Sequence, residues 1–597
     1  MIESKSGPAT EGSQRRAVLV RRLCLVAVLG LWALSTAALA QGAPTPQQID
    51  QIRQQQEQLQ RDEQLRREQL LRQQDPARRL PGSVDLAPEP GGPEAPEGGP
   101  CFTVQRVELQ GAGRLGAAEQ AQITGPFIGQ CVGLKEIGEL MREITNRYVD
   151  RGLVTTRVYI PQQDMSQGLL QLMVLEGRVG EIGLSDEQAG VYLATAFPGL
   201  QGRVLNIRDI EQGLDQINRL RSNNATMALQ PSEQPGLTNI LIRNQPGRRV
   251  SGGLTLDNYG SPSTGDFRGT LNLSVDNPMG LNDAWFASFS RNLDADSRTR
   301  LSESHMVGAN FAQGYWNWGF NLSKSRYVST VSSFTQTFRS SGDTETYNLN
   351  AQRVLSRGQT SKLTLNAGLT HTDSKNYIEG SLLSTSSPKL SDAMLGLTSV
   401  FTSGVGSWTL DASVTRGIKA FGVQALPDAG LGTVPTPFGT RYGASVSYFQ
   451  PLALQGSEAT WSSSLQMQTS PHFLYGASQM SIGGLFTVRG YDGTSLSAER
   501  GLYWRNDLAF MLPATQGPVI EKFGRLQSYV ALDIGRIFGR EGQSTGSLAG
   551  LVAGVRAMGG PIGFDLGLGF PVYQSEAVKA RGAVEGYAVY AKANLSF

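Results

Sequence analysis

Two periodicities divide this chain. From Arg248 to the end no segment sustains a helical repeat. Apolar and polar residues alternate there in short runs separated by Gly, Asn, Asp, Ser and Pro, as in "RVSGGLTLDNYG", "FRGTLNLSVDNP" and "AWFASFSRN". Roughly 350 residues at about 22 per strand and turn predict some 16 strands, more than a soluble sandwich needs. The last run, "EGYAVYAKANLSF", separates its faces cleanly. Tyr587, Val589, Ala591, Ala593, Leu595 and Phe597 are apolar; Ala588, Tyr590, Lys592, Asn594 and Ser596 are largely polar. One face suits lipid and the other water, which predicts a closed membrane barrel around an aqueous lumen.

Upstream, strand and helix periods mix. Phe102–Leu109 alternates like a strand, and Ala117–Thr124 reads as a helix. Leu134–Asp150 reads as a second helix, with Ile137, Leu140, Met141, Ile144 and Tyr148 at helical spacing and Arg151-Gly152 as its stop. Strands Val154–Ile160 and Gly168–Glu176 follow. The order then recurs: strand Arg178–Leu184, helices Glu187–Ala196 and Ile207–Leu220, strands Ala225–Gln230 and Leu237–Arg243. Two small α+β modules are expected, at 101–177 and 178–246, ahead of a barrel at 247–597. Their helical apolar positions are core. A partner would be met at exposed sheet edges, which accept an added strand; the candidates are Val154, Thr156, Val158 and Ile160 in one module, and Thr226 and Ala228 in the other.

The segment 41–74 has a third character. Gln47–Gln74 lacks Gly and Pro and places Glu57/Arg61, Asp62/Arg66, Glu63/Arg67 and Glu68/Arg72 at acid-before-base helical spacing. A helix polar on nearly all sides, about 40 Å long, fits either a wet lumen or a solvated stalk. Residues 75–100 alternate Pro, Gly and Glu, the composition of an extended linker. Residues 1–40 carry Arg15, Arg16, Arg21 and Arg22, an apolar run from Leu23 to Leu34, and Ala38-Leu39-Ala40, which predicts an export signal cleaved before Gln41.

Composition narrows the function. A net charge of +2 offers no field for nucleic acid. The three histidines, His305, His371 and His472, have neither metal-ligand spacing nor a catalytic constellation around them, so no metal, cofactor or enzymatic activity is expected. Cys101 and Cys131 remain after signal cleavage, and in an exported chain they are expected to join.

One motif stands apart from the barrel pattern. "LFTVRGYDG" sets Val488, Arg489, Gly490 and Tyr491 beside a turn dipeptide, Asp492-Gly493. Downstream come Glu499, Arg500 and Gly501, then Arg505 and Asn506, and later "YVALDIGRIF". In that last run Val530, Leu532 and Ile534 suit lipid, so Asp533 faces the lumen, where a carboxylate calls for a cation such as Arg489. The alternative is a solvated Asp533 and a surface turn at Arg489.

With these features in this order, the chain resembles the outer-membrane transporters of two-partner secretion, of the haemolysin and filamentous-haemagglutinin transporter type, in the POTRA-barrel superfamily. The resemblance covers essentially the whole mature chain. It implies a mainly β fold: a transmembrane barrel of about 16 strands behind two POTRA modules and a pore-plugging helix. It implies that Val488–Tyr491 tips a loop folded into the lumen, flanked by Glu499, Arg500, Gly501, Arg505 and Asn506, and anchored at Asp533 and Gly535. The family pattern there is Phe-x-Asp-x-Gly; this chain has Ala531 in place of the Phe. It implies an outer-membrane location with periplasmic POTRA modules. The implied partner is a large secreted haemolysin or adhesin of β-helix type, met unfolded in the periplasm. Other implied partners are outer-membrane lipid and, during biogenesis, periplasmic chaperones and the barrel assembly machinery. An assembly factor of the same superfamily is the runner-up; such proteins usually carry more POTRA modules and lack the helix and linker.

Overall fold

The computed structural model describes residues 46–82 and 100–597, apart from short segments at 187–189, 297, 333–336, 428, 430–433, 455, 514–517, 541–544 and 580–585. The expected signal and most of the 75–100 linker lie outside the described residues.

The first module is built around Leu134–Asp150, whose Ile137, Leu140, Ile144 and Tyr148 are buried. They pack on a three-stranded sheet ordered Arg106–Gln110, Leu169–Leu175, Arg157–Tyr159. The expected strand Phe102–Leu109 divides in two. Phe102–Thr103 pairs with Cys131–Val132, beside the Cys101–Cys131 disulfide, and the chain turns at Val104 before joining the sheet.

The expected strand Val154–Ile160 shrinks to Arg157–Tyr159. The Thr156 amide donates to the Leu153 carbonyl at 3.1 Å, closing a turn that buries Thr156. Val154 packs against the core of the second module. Neither residue is therefore on the sheet edge. Val158 is on that edge but faces its own core, whereas Tyr159 and Ile160 are exposed.

In the second module the sheet order is Arg178–Leu184, Leu237–Asn244, Ala225–Pro231, which places Thr226 and Ala228 on an outer strand. Of the helix expected at Glu187–Ala196, residues 187–189 lie outside the described residues and Leu193–Ala196 is helical; between them Gly190 takes a positive φ and Tyr192 is extended. The following helix, Ile207–Asn218, buries its polar Glu211, Gln212 and Gln216 as well as its apolar face. Gln212 and Gln216 both donate to the Gly314 carbonyl in a barrel turn, so this helix is covered on two sides.

From Val250 onward consecutive strands pair antiparallel, and Ala588–Ser596 closes the barrel on Val250–Asp257. Ser381–Leu382 is only a two-residue extension at the end of Ser361–Ile378, leaving 16 wall strands among the described residues. The predicted alternation holds at both test segments. Val530, Leu532, Ile534, Val589 and Leu595 are exposed on the outer wall, whereas Asp533, Ala588 and Tyr590 are buried inside.

The helix Pro46–Gln74 lies within the barrel. Near its N-terminus, Ile52 is buried against Phe338 and Ile378. Gln56 donates to Ser340 Oγ, Gln60 to Asn376 Oδ1, Arg66 to the Tyr259 carbonyl and Arg67 to Ser323 Oγ. Of the expected pairs, Arg61 lies 3.8 Å from Glu57. Arg66 turns to Glu63 instead, one residue closer than the spacing suggested. A wall of serines, threonines and asparagines offers competing acceptors that an isolated helix would lack. This explains a helix that is polar all round yet ordered.

Candidate functional site

Between the strands Ser457–Thr469 and Arg500–Met511, the chain folds back into the lumen. A short hairpin, Met480–Ile482 with Leu496–Ala498, forms its stem. Glu499 fixes the base. Its carboxylate is fully buried and accepts from the Leu474 amide at 3.3 Å and Gln479 Nε2 at 3.1 Å.

At the tip, Arg489 meets Asp533. The carboxylate accepts the Arg489 backbone amide at 3.0 Å, Nε at 2.6 Å and Nη2 at 2.8 Å. Asp507 takes the outer edge of the same guanidinium, at 2.9 Å from Nη1 and 3.0 Å from Nη2. Asp533 is 0% exposed and Arg489 7%. One planar cation is thus held between two carboxylates, the fork geometry that only arginine offers. Arg505 completes the cluster: its Nη1 donates to the Phe486 carbonyl at 3.0 Å, and its Nε lies 3.8 Å from Asp533.

The other motif residues seat the tip by packing. Val488 is buried with Ile482, Tyr491 and Leu548. The Gly490 amide donates to Tyr590 Oη at 2.7 Å, joining the tip to the closing strand. Gly490 has φ +94, and a Cβ there would stand 2.7 Å from the Phe570 carbonyl oxygen. Tyr491 directs its hydroxyl at the Tyr573 and Ala549 carbonyls, 2.6 and 3.0 Å away. Gly535 lies under the loop, where a Cβ would come within 2.7 Å of Val488. Ala531 is buried in a cluster with Tyr529, Val552 and Tyr590, and Leu485 of the loop packs on the same cluster.

Three residues of the expected flank sit differently. Arg500 is exposed at the start of its strand, Gly501 pairs with Gln468 in the wall, and Asn506 is beside Leu532 on the outward face. Asp507 was missed by the motif reading. Strand alternation could have found it, since it stands two residues from Arg505 and so shares its inward face.

Loop and helix touch. The Arg66 guanidinium lies 5.7 Å over the Phe486 ring, Gln58 reaches the Gly493 carbonyl at 3.4 Å, and Arg61 the Gly476 carbonyl at 3.4 Å. One cavity beside them has a volume of about 460 Å³.

Comparison with known proteins agrees with this architecture. Residues 236–557 match the family "Haemolysin secretion/activation protein ShlB/FhaC/HecB". Residues 102–177 match a ShlB-type POTRA domain, and 178–231 a further POTRA domain. The chain is 33% identical to "Outer membrane transporter CdiB" of Dickeya dadantii (strain 3937), over 82% of this chain and 86% of that protein. It is 29% identical to "Hemolysin transporter protein ShlB" of Serratia marcescens, over 77% and 80%. The solved structure of CdiB from Escherichia coli superposes with a TM-score of 0.80 at 31% identity, covering 93% of this chain and all of that one.

Proposed function

The chain belongs to the haemolysin secretion/activation family ShlB/FhaC/HecB, and on that footing we propose how it exports its partner. It is an outer-membrane transporter of two-partner secretion, with its POTRA modules in the periplasm. The partner is a large secreted exoprotein, a haemolysin or adhesin of β-helix type, that arrives unfolded. Its N-terminal domain is taken at the POTRA surface, the Pro46–Gln74 helix leaves the lumen, and the chain threads the barrel and folds outside. Folding at the far side supplies the driving force. Chaperones and the barrel assembly machinery act in the transporter's own biogenesis.

The observation that carries this reading is a lumen that holds a tethered polar helix and a clamped loop, above two periplasmic sheets with open edges. A diffusion pore needs none of these parts. An assembly factor remains the second reading, and the helix and its linker disfavour it.

Recognition is tested at the edge of the first module. Tyr159 and Ile160 are 48% and 42% exposed there, replacing Val154 and Thr156 as candidates. Full-length protein carrying Tyr159→Asp and Ile160→Asp should bind the partner's N-terminal domain more weakly by calorimetry, and secrete less of it. Thr226→Asp and Ala228→Asp test the second edge likewise. Unchanged affinity in both places recognition elsewhere. Failure of the wild-type protein to release a co-expressed β-helix partner into the medium would overturn the export reading.

A further inference from the structure

A second group of buried charges lies far from the loop tip, where the second POTRA module meets the barrel turn. Arg357 ends the 21-residue strand Thr337–Arg357, and its side chain is 1% exposed. Nη2 donates to the Gly82 carbonyl at 2.6 Å, Nη1 donates to Asp215, and Nε lies 3.6 Å from Glu211. Gly82 belongs to the tether of the lumen helix, whereas Asp215 and Glu211 belong to the POTRA helix Ile207–Asn218. The Gly82 amide in turn donates to Asp215 at 3.3 Å. A Cβ on Gly82 would stand 2.8 Å from that carboxylate oxygen, so a larger residue there would displace the Asp215 side chain. Two more bonds hold the same stretch: Arg79 donates to the Arg219 carbonyl at 3.2 Å, and Lys362 to the Pro76 carbonyl at 3.0 Å.

We infer that Arg357 is a positioning residue that clasps three bodies together, the barrel rim, the second POTRA module and the plug tether. From the rim, a planar guanidinium can face the other two at once; a single point charge cannot. Withdrawing either the tether or the POTRA helix alone strips partners from charges that are out of water, which is strongly unfavourable. The two therefore stay together or leave together. A shift of the second module on the rim, as on engaging a partner, frees the tether and with it the helix. Coupling then resides in a defined contact with two arrangements rather than in distance alone. The inference rests on the proposed plug role of the helix.

Full-length Arg357→Ala and Asp215→Asn proteins, measured in planar bilayers beside wild type and a deletion of residues 41–100, test it. The deletion defines the unplugged conductance. Either substitution should raise the open-to-closed ratio several-fold, since the Arg357 side chain is buried although that of Asp215 is 29% exposed. The double variant should be little different from either single one, since all remove one contact. Heat-modifiable migration in gels should stay as in wild type, which a merely structural defect of the barrel would not allow. A cleavable bifunctional crosslink between Gly82→Cys and Asp215→Cys, replacing the clasp covalently, should hold the channel closed and stop secretion, and cleavage should give the raised opening of Asp215→Asn and let secretion resume. Wild-type gating in both substitutions, with a conducting deletion, would overturn the clasp and leave the plug standing. Normal secretion by the crosslinked protein would overturn it as well. A deletion with wild-type conductance would remove the plug, and the clasp with it.

Discussion

Arg489 gives Asp533 three hydrogen bonds, two from its guanidinium and one from its own backbone amide. The amide contact means that the carboxylate anchors the turn of the loop as well as a side-chain tip. An exposed ion pair would contribute about 1 kcal/mol. Burial of both partners changes that scale.

Removing Arg489 leaves Asp533 and Asp507 buried side by side, with Arg505 as the nearest remaining cation. Breaking a buried pair from one side costs roughly 3–5 kcal/mol, so Arg489→Ala should release the loop and sharply reduce secretion. Arg489→Lys should rescue little, because one ammonium cannot span two carboxylates. Arg489→Ala with Asp533→Ala should be little worse than either alone. Secretion assays, with heat-modifiable migration reporting barrel integrity, decide it; wild-type secretion from Arg489→Ala would contradict the anchoring role.

Asp507→Asn offers a graded comparison. It weakens one side of the clamp and leaves the three bonds to Asp533. Its secretion defect should fall between those of wild type and Asp533→Ala, and a larger defect than Asp533→Ala would reverse the assigned order.

Gly535→Val places two methyl groups under Val488, where even a Cβ is too close. The strand should still form, since valine favours it. The loop should not seat. Limited proteolysis at 484–494 in the folded barrel should rise, and protection equal to wild type would refute the packing argument.

Ile52→Asp inserts a charge between Phe338 and Ile378. An unpaired carboxylate at an apolar contact disfavours the docked helix. Single-channel recordings should show more frequent opening than wild type, with no change in gel migration.

The Cys101–Cys131 bridge closes a sequence separation of 30 residues. Chain-entropy reasoning assigns such a loop about 3–4 kcal/mol. Alkylation and mass spectrometry of the unreduced protein should find no free thiol at either position. Reduction should lower the unfolding temperature of the first module selectively.

Much of this molecule is visible one residue at a time. The alternation around Asp533 and along the C-terminal strand is a local period. It determines which face meets lipid, because successive strand side chains must point opposite ways. The number of wall strands follows from the spacing of turn residues, and the polar helix from its composition. Lengths at the margins were less legible: Val154–Ile160 reads as a strand until the Thr156 turn and the second module's core claim its first three residues. What only the tertiary structure decided is which residues distant in sequence meet, and how dry their contacts are. Asp507 joins Arg489, and Arg357 joins Gly82 and Asp215, because strand register and module docking bring them together. No local pattern encodes that proximity. Burial then sets the strength of these contacts, since the energy of a charge depends on the water that surrounding chain excludes.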